Sequence, residues 1–221
     1  MDSVLAIAPH PDDETLGCGG TLLRRKLEGA AIGWVIVTSI TEAAGWSTER
    51  VARRREEIET VRQMYGFDAV FELGLPTTRL DALPMGDLVE RFSQVFKQFE
   101  PNEVFVPARS DVHTDHRVVF DCVAACTKWF RYPSVRRVLA YETLSETEFA
   151  LSATGKFSPN CFVNVTAQLE RKLEILRVYE SELGSFPFPR SPEAVRVLAA
   201  LRGATAGYVA AEAFQLLRER V

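Results

Sequence analysis

Nowhere does this sequence hold an apolar run long enough to cross a bilayer. It passes from Met1 and Asp2 straight into a strand-like segment, without the basic start and apolar block of a secretory leader. These two absences point to a cytoplasmic protein that does not insert into membranes. Basic residues are not in excess either: 26 Lys and Arg stand against 30 Asp and Glu, a formal net charge of -4. That balance gives no electrostatic reason to expect a nucleic-acid partner, although Arg53, Arg54 and Arg55 could hold an anion locally. Cys18, Cys122, Cys126 and Cys161 show no CxxC spacing, which argues against disulfides in a reducing compartment. Cys122 and Cys126, four apart on one helix face, read as small core hydrophobes rather than as a metal pair.

Internal repeats and linkers are also missing, and a composition 47% hydrophobic and 25% charged suits one globular domain spanning 1–221. Runs rich in Val, Ile and Phe predict buried strands at Ser3–Ala8, Ala31–Thr38, Ala69–Leu73, Glu103–Pro107 and Val135–Tyr141. Helical periods lie between them, at about Thr15–Glu28, Thr48–Tyr65, Met85–Phe99 and Asp115–Phe130. Strand alternating with helix implies an α/β fold: a Rossmann-like open, mostly parallel sheet with helices on both faces and its site at the strands' C-terminal ends. The last third departs from the alternation, with a short strand at Cys161–Val165 and helices at Leu169–Glu182, Glu193–Leu201 and Ala210–Arg220. The proline-rich Phe186–Pro192 segment breaks any helix and reads as a surface connector rather than a lid.

The chain has only three histidines, and each stands beside carboxylates at a predicted strand exit. His10 lies in Pro9-His-Pro-Asp-Asp-Glu14 after the first strand; His113 and His116 lie in Asp111-Val-His-Thr-Asp-His116 after the fourth. In a doubly wound sheet those two strands are commonly neighbours across the switch point, so the motifs should meet. One histidine at a strand end is ordinarily a capping or hydrogen-bonded residue; three among acids form a metal-ligand set. A catalytic zinc site takes two histidines and one carboxylate, which His10, His116 and one of Asp12 and Asp13 supply, and the other aspartate is then free as a general base. His113 suits an oxyanion stabiliser or proton donor. Asp115, between the histidines, could orient an imidazole, and Asp111 could do the same for His113. The glycines of Leu16-Gly-Cys-Gly-Gly20 lack GxGxxG spacing and follow three acids, so they read as close helix packing rather than pyrophosphate binding.

With both motifs in hand, the chain resembles the PIG-L or LmbE-like family of N-acetylglucosaminyl deacetylases, which share a PHPDDE-type turn and a downstream HxDH. The resemblance implies zinc ligation by His10, Asp13 and His116, general-base work by Asp12 and an auxiliary role for His113; it alone separates the two aspartates. Arg54, with Glu57 and Gly66, looks like the family's RxxE helix and is a candidate substrate contact, the alternative being a solvated face shared with Arg53 and Arg55. Ser39-Ile-Thr-Glu42 departs from the polar turn that many relatives carry there. Arg202-Gly203, Gly207 and Ala211-Glu-Ala-Phe214 look like a terminal family pattern. The implied activity is zinc-dependent removal of an N-acetyl group from an amino sugar or its glycoside or nucleotide-linked form, by a homo-oligomer. Zn2+ is the expected metal, and Fe2+ suits the same donors. The alternatives are an amidase for a thiol-sugar conjugate or other secondary amide, and a non-catalytic sugar-binding protein.

Overall fold

The computed structural model describes residues 2–151 and 155–221. Among them, β1 (Ser3–Ala8), β2 (Ala31–Ser39), β3 (Ala69–Pro76), β4 (Glu103–Pro107), β5 (Arg137–Tyr141), β6 (Cys161–Asn164) and β7 (Ala211–Glu219) form one sheet in the order β3-β2-β1-β4-β5-β7-β6. The first five strands pair in parallel, and β7 lies antiparallel between β5 and β6. The order reverses between β2-β1 and β4, and β1 pairs directly with β4 as the sequence predicts. The α/β fold with a mostly parallel sheet is therefore observed. No helix among the described residues is long and apolar enough to cross a membrane.

Alternate residues of each central strand serve opposite cores, because side chains along a strand point to opposite faces. Val4, Ala6 and Ala8 of β1 pack with Leu22 of α1 (Asp13–Leu27), Val61 and Tyr65 of α2 (Thr48–Tyr65), Ile175 of α5 (Leu169–Leu176) and Ala199 of α6 (Pro192–Ala206). Leu5 and Ile7 face the other way, toward Phe92 and Phe96 of α3 (Met85–Phe99) and Val119 and Val123 of α4 (Thr114–Ala125). Cys122 and Cys126 lie buried in this second core, as read from their spacing. α2 starts at Ser47, whose hydroxyl accepts the Arg50 amide hydrogen, and stops at Gly66, whose φ of 67° a side chain would strain.

Two expectations fail in the last third. Ala210–Arg220 is a strand, not a helix: its helix formers are overridden because β7 fills the gap between β5 and β6, where Phe214 meets Phe105 at a centroid distance of 4.9 Å. The helix expected over Leu169–Glu182 ends at Leu176, and a separate 3-10 turn occupies Glu180–Glu182.

β7 also repairs a break in α1. At Cys18 the backbone leaves the helix (φ -140°, ψ 16°), which frees the Leu16 carbonyl and the Gly20 and Thr21 amides from their usual partners. A buried ion pair enters the gap: Lys172 donates to the Leu16 carbonyl at 2.9 Å and to Glu212 Oε1 at 2.7 Å. The Glu212 carboxylate accepts the Gly20 and Thr21 amides at 2.8 and 2.7 Å. The glycines allow the close approach expected of them, since a Cβ on Gly17 would lie 2.1 Å from the Tyr141 ring and one on Gly20 2.9 Å from Val165. Thus the C-terminal third fixes the helix that begins at Asp13. Lys172→Met, which leaves Glu212 buried without its cation, is expected to cost about 3 to 5 kcal/mol, read as a lower urea midpoint. An unchanged midpoint would remove the ion pair from this role.

Candidate metal centre

The turn after β1 is pinned on both sides. Thr38 of β2 donates its amide (3.0 Å) and hydroxyl (2.8 Å) to the Pro9 carbonyl, while Asp13 Oδ2 accepts the His10 amide at 2.8 Å. Between them Asp12 sits at φ 126°, a conformation rare for a residue with a side chain and one that persists only where surroundings enforce it. The second motif leaves β4 in a loop and enters α4, with His113 as the helix N-cap. The β1–β4 pairing brings the two together.

The His10 Nδ1 and His116 Nε2 atoms each lie 3.3 Å from Asp13 Oδ2. The ligand atoms of His10, Asp13 and His116 all fall within 4.8 Å of one another. Each imidazole is oriented through its other nitrogen: His10 Nε2 donates to Asp115 Oδ2 at 3.1 Å, and His116 Nδ1 donates to Asp111 Oδ2 at 2.8 Å. Asp115 thus contacts the His10 imidazole. Asp111 serves His116, not His113, because residue 116 comes back over the loop while residue 113 caps the helix. The carboxylates are themselves fixed: Asp115 accepts the Thr78 and Leu80 amides at 2.7 and 3.2 Å, and Asp111 accepts the Thr147 hydroxyl at 2.6 Å. Two imidazoles and one carboxylate with held ring orientations fit a divalent cation. His10, His113 and Asp115 form a second compact grouping, but Asp115 already accepts two amides and His113 Nδ1 accepts the Asp115 amide at 3.1 Å. The first set is the better cradle.

Burial raises the pKa of Asp12 well above the usual carboxylate range, helped by Asp13 and opposed by Arg190. Burial pulls His10 and His116 down, but hydrogen bonds and charges from Asp115, Asp13 and Asp111 outweigh it, raising His10 to about 9 and His116 well above its ordinary value. A bound cation would displace those protons. Burial, with repulsion from His10 and His116, lowers His113 to about 4, so it is neutral at physiological pH.

Arg54 points inward, while Arg53 and Arg55 are exposed, which settles the register of the three arginines. Its Nη1 donates to the Pro11 carbonyl at 3.1 Å, its Nη2 bonds Glu182 and its Nε lies 3.2 Å from Glu57. The guanidinium therefore grips the back of the Pro9–Glu14 turn. Sequence reasoning passed over three participants. Arg190 Nη1 donates to Asp12 Oδ2 at 3.2 Å, Glu182 links Arg50, Arg54 and Arg190, and fully buried Glu14 accepts the Thr15 and Tyr179 hydroxyls at 2.6 and 3.0 Å. Burial raises Glu14 to about 7. Only Glu14 carried a signal, as a third acid beyond what a helix cap uses; Arg190 is 178 positions from Asp12.

The family model described as GlcNAc-PI de-N-acetylase, PIG-L, matches residues 5–127, which span both motifs. Diacetylchitobiose deacetylase of Thermococcus kodakarensis is 24% identical over 227 aligned positions, covering 98% of this chain and 84% of its own length. The conserved protein TT1542 of Thermus thermophilus is 26% identical and superposes with a TM-score of 0.79 over 100% of this chain and 97% of its own. The 4-carboxy-2-hydroxymuconate hydratase of Pseudomonas putida KT2440 superposes at 0.75 with 19% identity, over 100% and 98% of the two chains, a likeness of fold. If Asp111 orients a ligand, Asp111→Asn is expected to weaken metal affinity by about tenfold to a hundredfold, measured by competition with a chelator. Unchanged affinity would show that His116 needs no such anchor.

Proposed function

Since the chain belongs to the PIG-L family, we propose that it is a metal-dependent N-deacetylase that releases acetate from an N-acetylated amino sugar, free or as its glycoside or nucleotide-linked form. The observation that carries this reading is the convergence of His10 Nδ1, Asp13 Oδ2 and His116 Nε2, with the buried Asp12 carboxylate next in the chain. Because a hydratase shares the architecture, the reading rests on these residues rather than on the fold. Zn2+ is the metal we assign, and the same donors accept Fe2+. Bound there, the metal supplies Lewis-acid polarisation of the amide carbonyl and acidifies a water molecule.

The chain's own groups do the proton work. Asp12 takes the proton of the attacking water and returns it to the amine nitrogen as the C–N bond breaks, leaving acetate and a free amino group. His113 accepts the Asp115 amide at Nδ1 and is neutral, so its proton sits on Nε2. That N–H is a donor for the developing oxyanion, and the lowered pKa favours this role over proton donation by an imidazolium. Asp115 and Asp111 hold the two ligand imidazoles, and Arg54 holds the turn that carries Asp12. The substrate contact expected of Arg54 would need one of its present partners to give way.

Asp12→Asn is expected to keep its metal and lose about a hundredfold to ten-thousandfold in turnover, measured as acetate release from a panel of N-acetylated sugars with metal content assayed in parallel. Turnover at the wild-type rate would take Asp12 out of the role. Release from bulkier sugar amides but none from acetamides would favour the conjugate amidase instead.

A further inference from the structure

The proline-rich segment before α6 is an organised loop, not a plain connector. The Phe188 amide donates to the Ser185 carbonyl at 2.9 Å, and the Ser191 amide donates to the Phe188 carbonyl at 3.0 Å. Ser191 is fully buried and caps α6 by accepting the Ala194 amide at 3.1 Å. A Cβ on Gly184 would come within 2.7 Å of the Phe188 ring, so the loop closes on itself where only glycine fits. Arg190 therefore leaves a fixed backbone, one residue before a helix cap, with its guanidinium 5.7 Å from the Phe188 ring centroid. This arrangement aims a planar, permanently charged group at the Asp12 carboxylate.

Asp12 needs such a partner. Its side chain is 5% exposed and makes no cap hydrogen bond although Asp12 stands at the N-cap of α1, and among the described residues the only hydrogen-bond donor to its carboxylate is Arg190. Its backbone is tied to the start of α1 by the Leu16 amide, which the Asp12 carbonyl accepts at 2.8 Å, but no bond of that helix reaches the carboxylate. Arg190 is steadied by Glu182, 3.5 Å away. The same Glu182 binds Arg54, which holds the neighbouring Pro11 carbonyl. One acid thus anchors two arginines that grip the turn on either side of Asp12.

We infer that Arg190 is a positioning residue for the reaction: it holds the Asp12 carboxylate by one oxygen in the orientation from which it exchanges protons with water and the amine. The inference rests on the reading of Asp12 as the base. Misplacing a catalytic group by about 1 Å costs on the order of a hundredfold, which sets the size of effect to expect.

The test is steady-state acetate release from N,N'-diacetylchitobiose by metal-loaded wild type, Arg190→Ala, Arg190→Lys, Asp12→Asn and the Arg190→Ala/Asp12→Asn double variant, with metal content and thermal midpoint checked for each. Arg190→Ala is expected to lower kcat by about tenfold to a hundredfold with KM nearly unchanged, Arg190→Lys to recover part of the loss, and Arg190→Ala to add nothing to Asp12→Asn. A raised KM at constant kcat, or a loss that multiplies with that of Asp12→Asn, would overturn the inference in favour of direct substrate binding. A wild-type kcat in Arg190→Ala beside an inactive Asp12→Asn would overturn it while leaving the base assignment standing; full activity in Asp12→Asn would sink that assignment itself. Should the wild type release no acetate from this sugar, crystal structures of wild type and Arg190→Ala decide. The inference expects the carboxylate to turn or take a new partner, and an unmoved carboxylate overturns it.

Discussion

Burying charge is the constraint around which this molecule is arranged. Asp12, Asp13, Asp111, Asp115 and His116 are all shielded from water at the exits of β1 and β4, and an ion buried without a partner costs several kcal/mol. Each is answered by a group delivered from elsewhere in the chain. The loop after β3 supplies the Thr78 and Leu80 amides to Asp115, the loop after β5 supplies Thr147 to Asp111, and the segment before α6 supplies Arg190 to Asp12. The loops at this end of the sheet are therefore tied to the site by its electrostatics, and only Asp13 is left with its compensation centred on the place a cation would take.

A different charge pair governs the scaffold. α1 starts at Asp13, so any drift of that helix moves a candidate ligand. The helix breaks at Cys18 and is held across the break by Lys172 and Glu212, the first from α5 and the second from β7. Tight packing of Gly17 and Gly20 against Tyr141 and Val165 leaves the helix no other position. The C-terminal third, which carries neither histidine motif, thus meets the candidate site in two ways: it locks the helix behind the turn, and it presents Arg190 to Asp12 in front of it.

Both motifs and their meeting were legible in the sequence. The alternation of strands with helices implies parallel strands, parallel strands imply crossovers, and the switch point then places the exits of the first and fourth strands side by side. The hydrophobic runs of β1, β2, β4 and β5 are strong because those strands are buried on both faces. The run at Ala210–Arg220 misled because its composition favours a helix and only the vacancy between β5 and β6 makes it a strand. In the same way Phe186–Pro192 read as a connector because prolines report where a helix cannot be, not what a neighbouring arginine reaches.

The sequence by itself determined the fold class, the pairing of the two histidine-bearing turns and the residue types able to hold a divalent cation, since each follows from local pattern and chain connectivity. Tertiary structure alone decided which carboxylate serves which imidazole, which of three adjacent arginines turns inward and what faces Asp12. Those choices depend on contacts between residues far apart in the chain, such as Arg190 with Asp12 and Thr78 with Asp115, and no local spacing encodes a distance that only the closed fold creates.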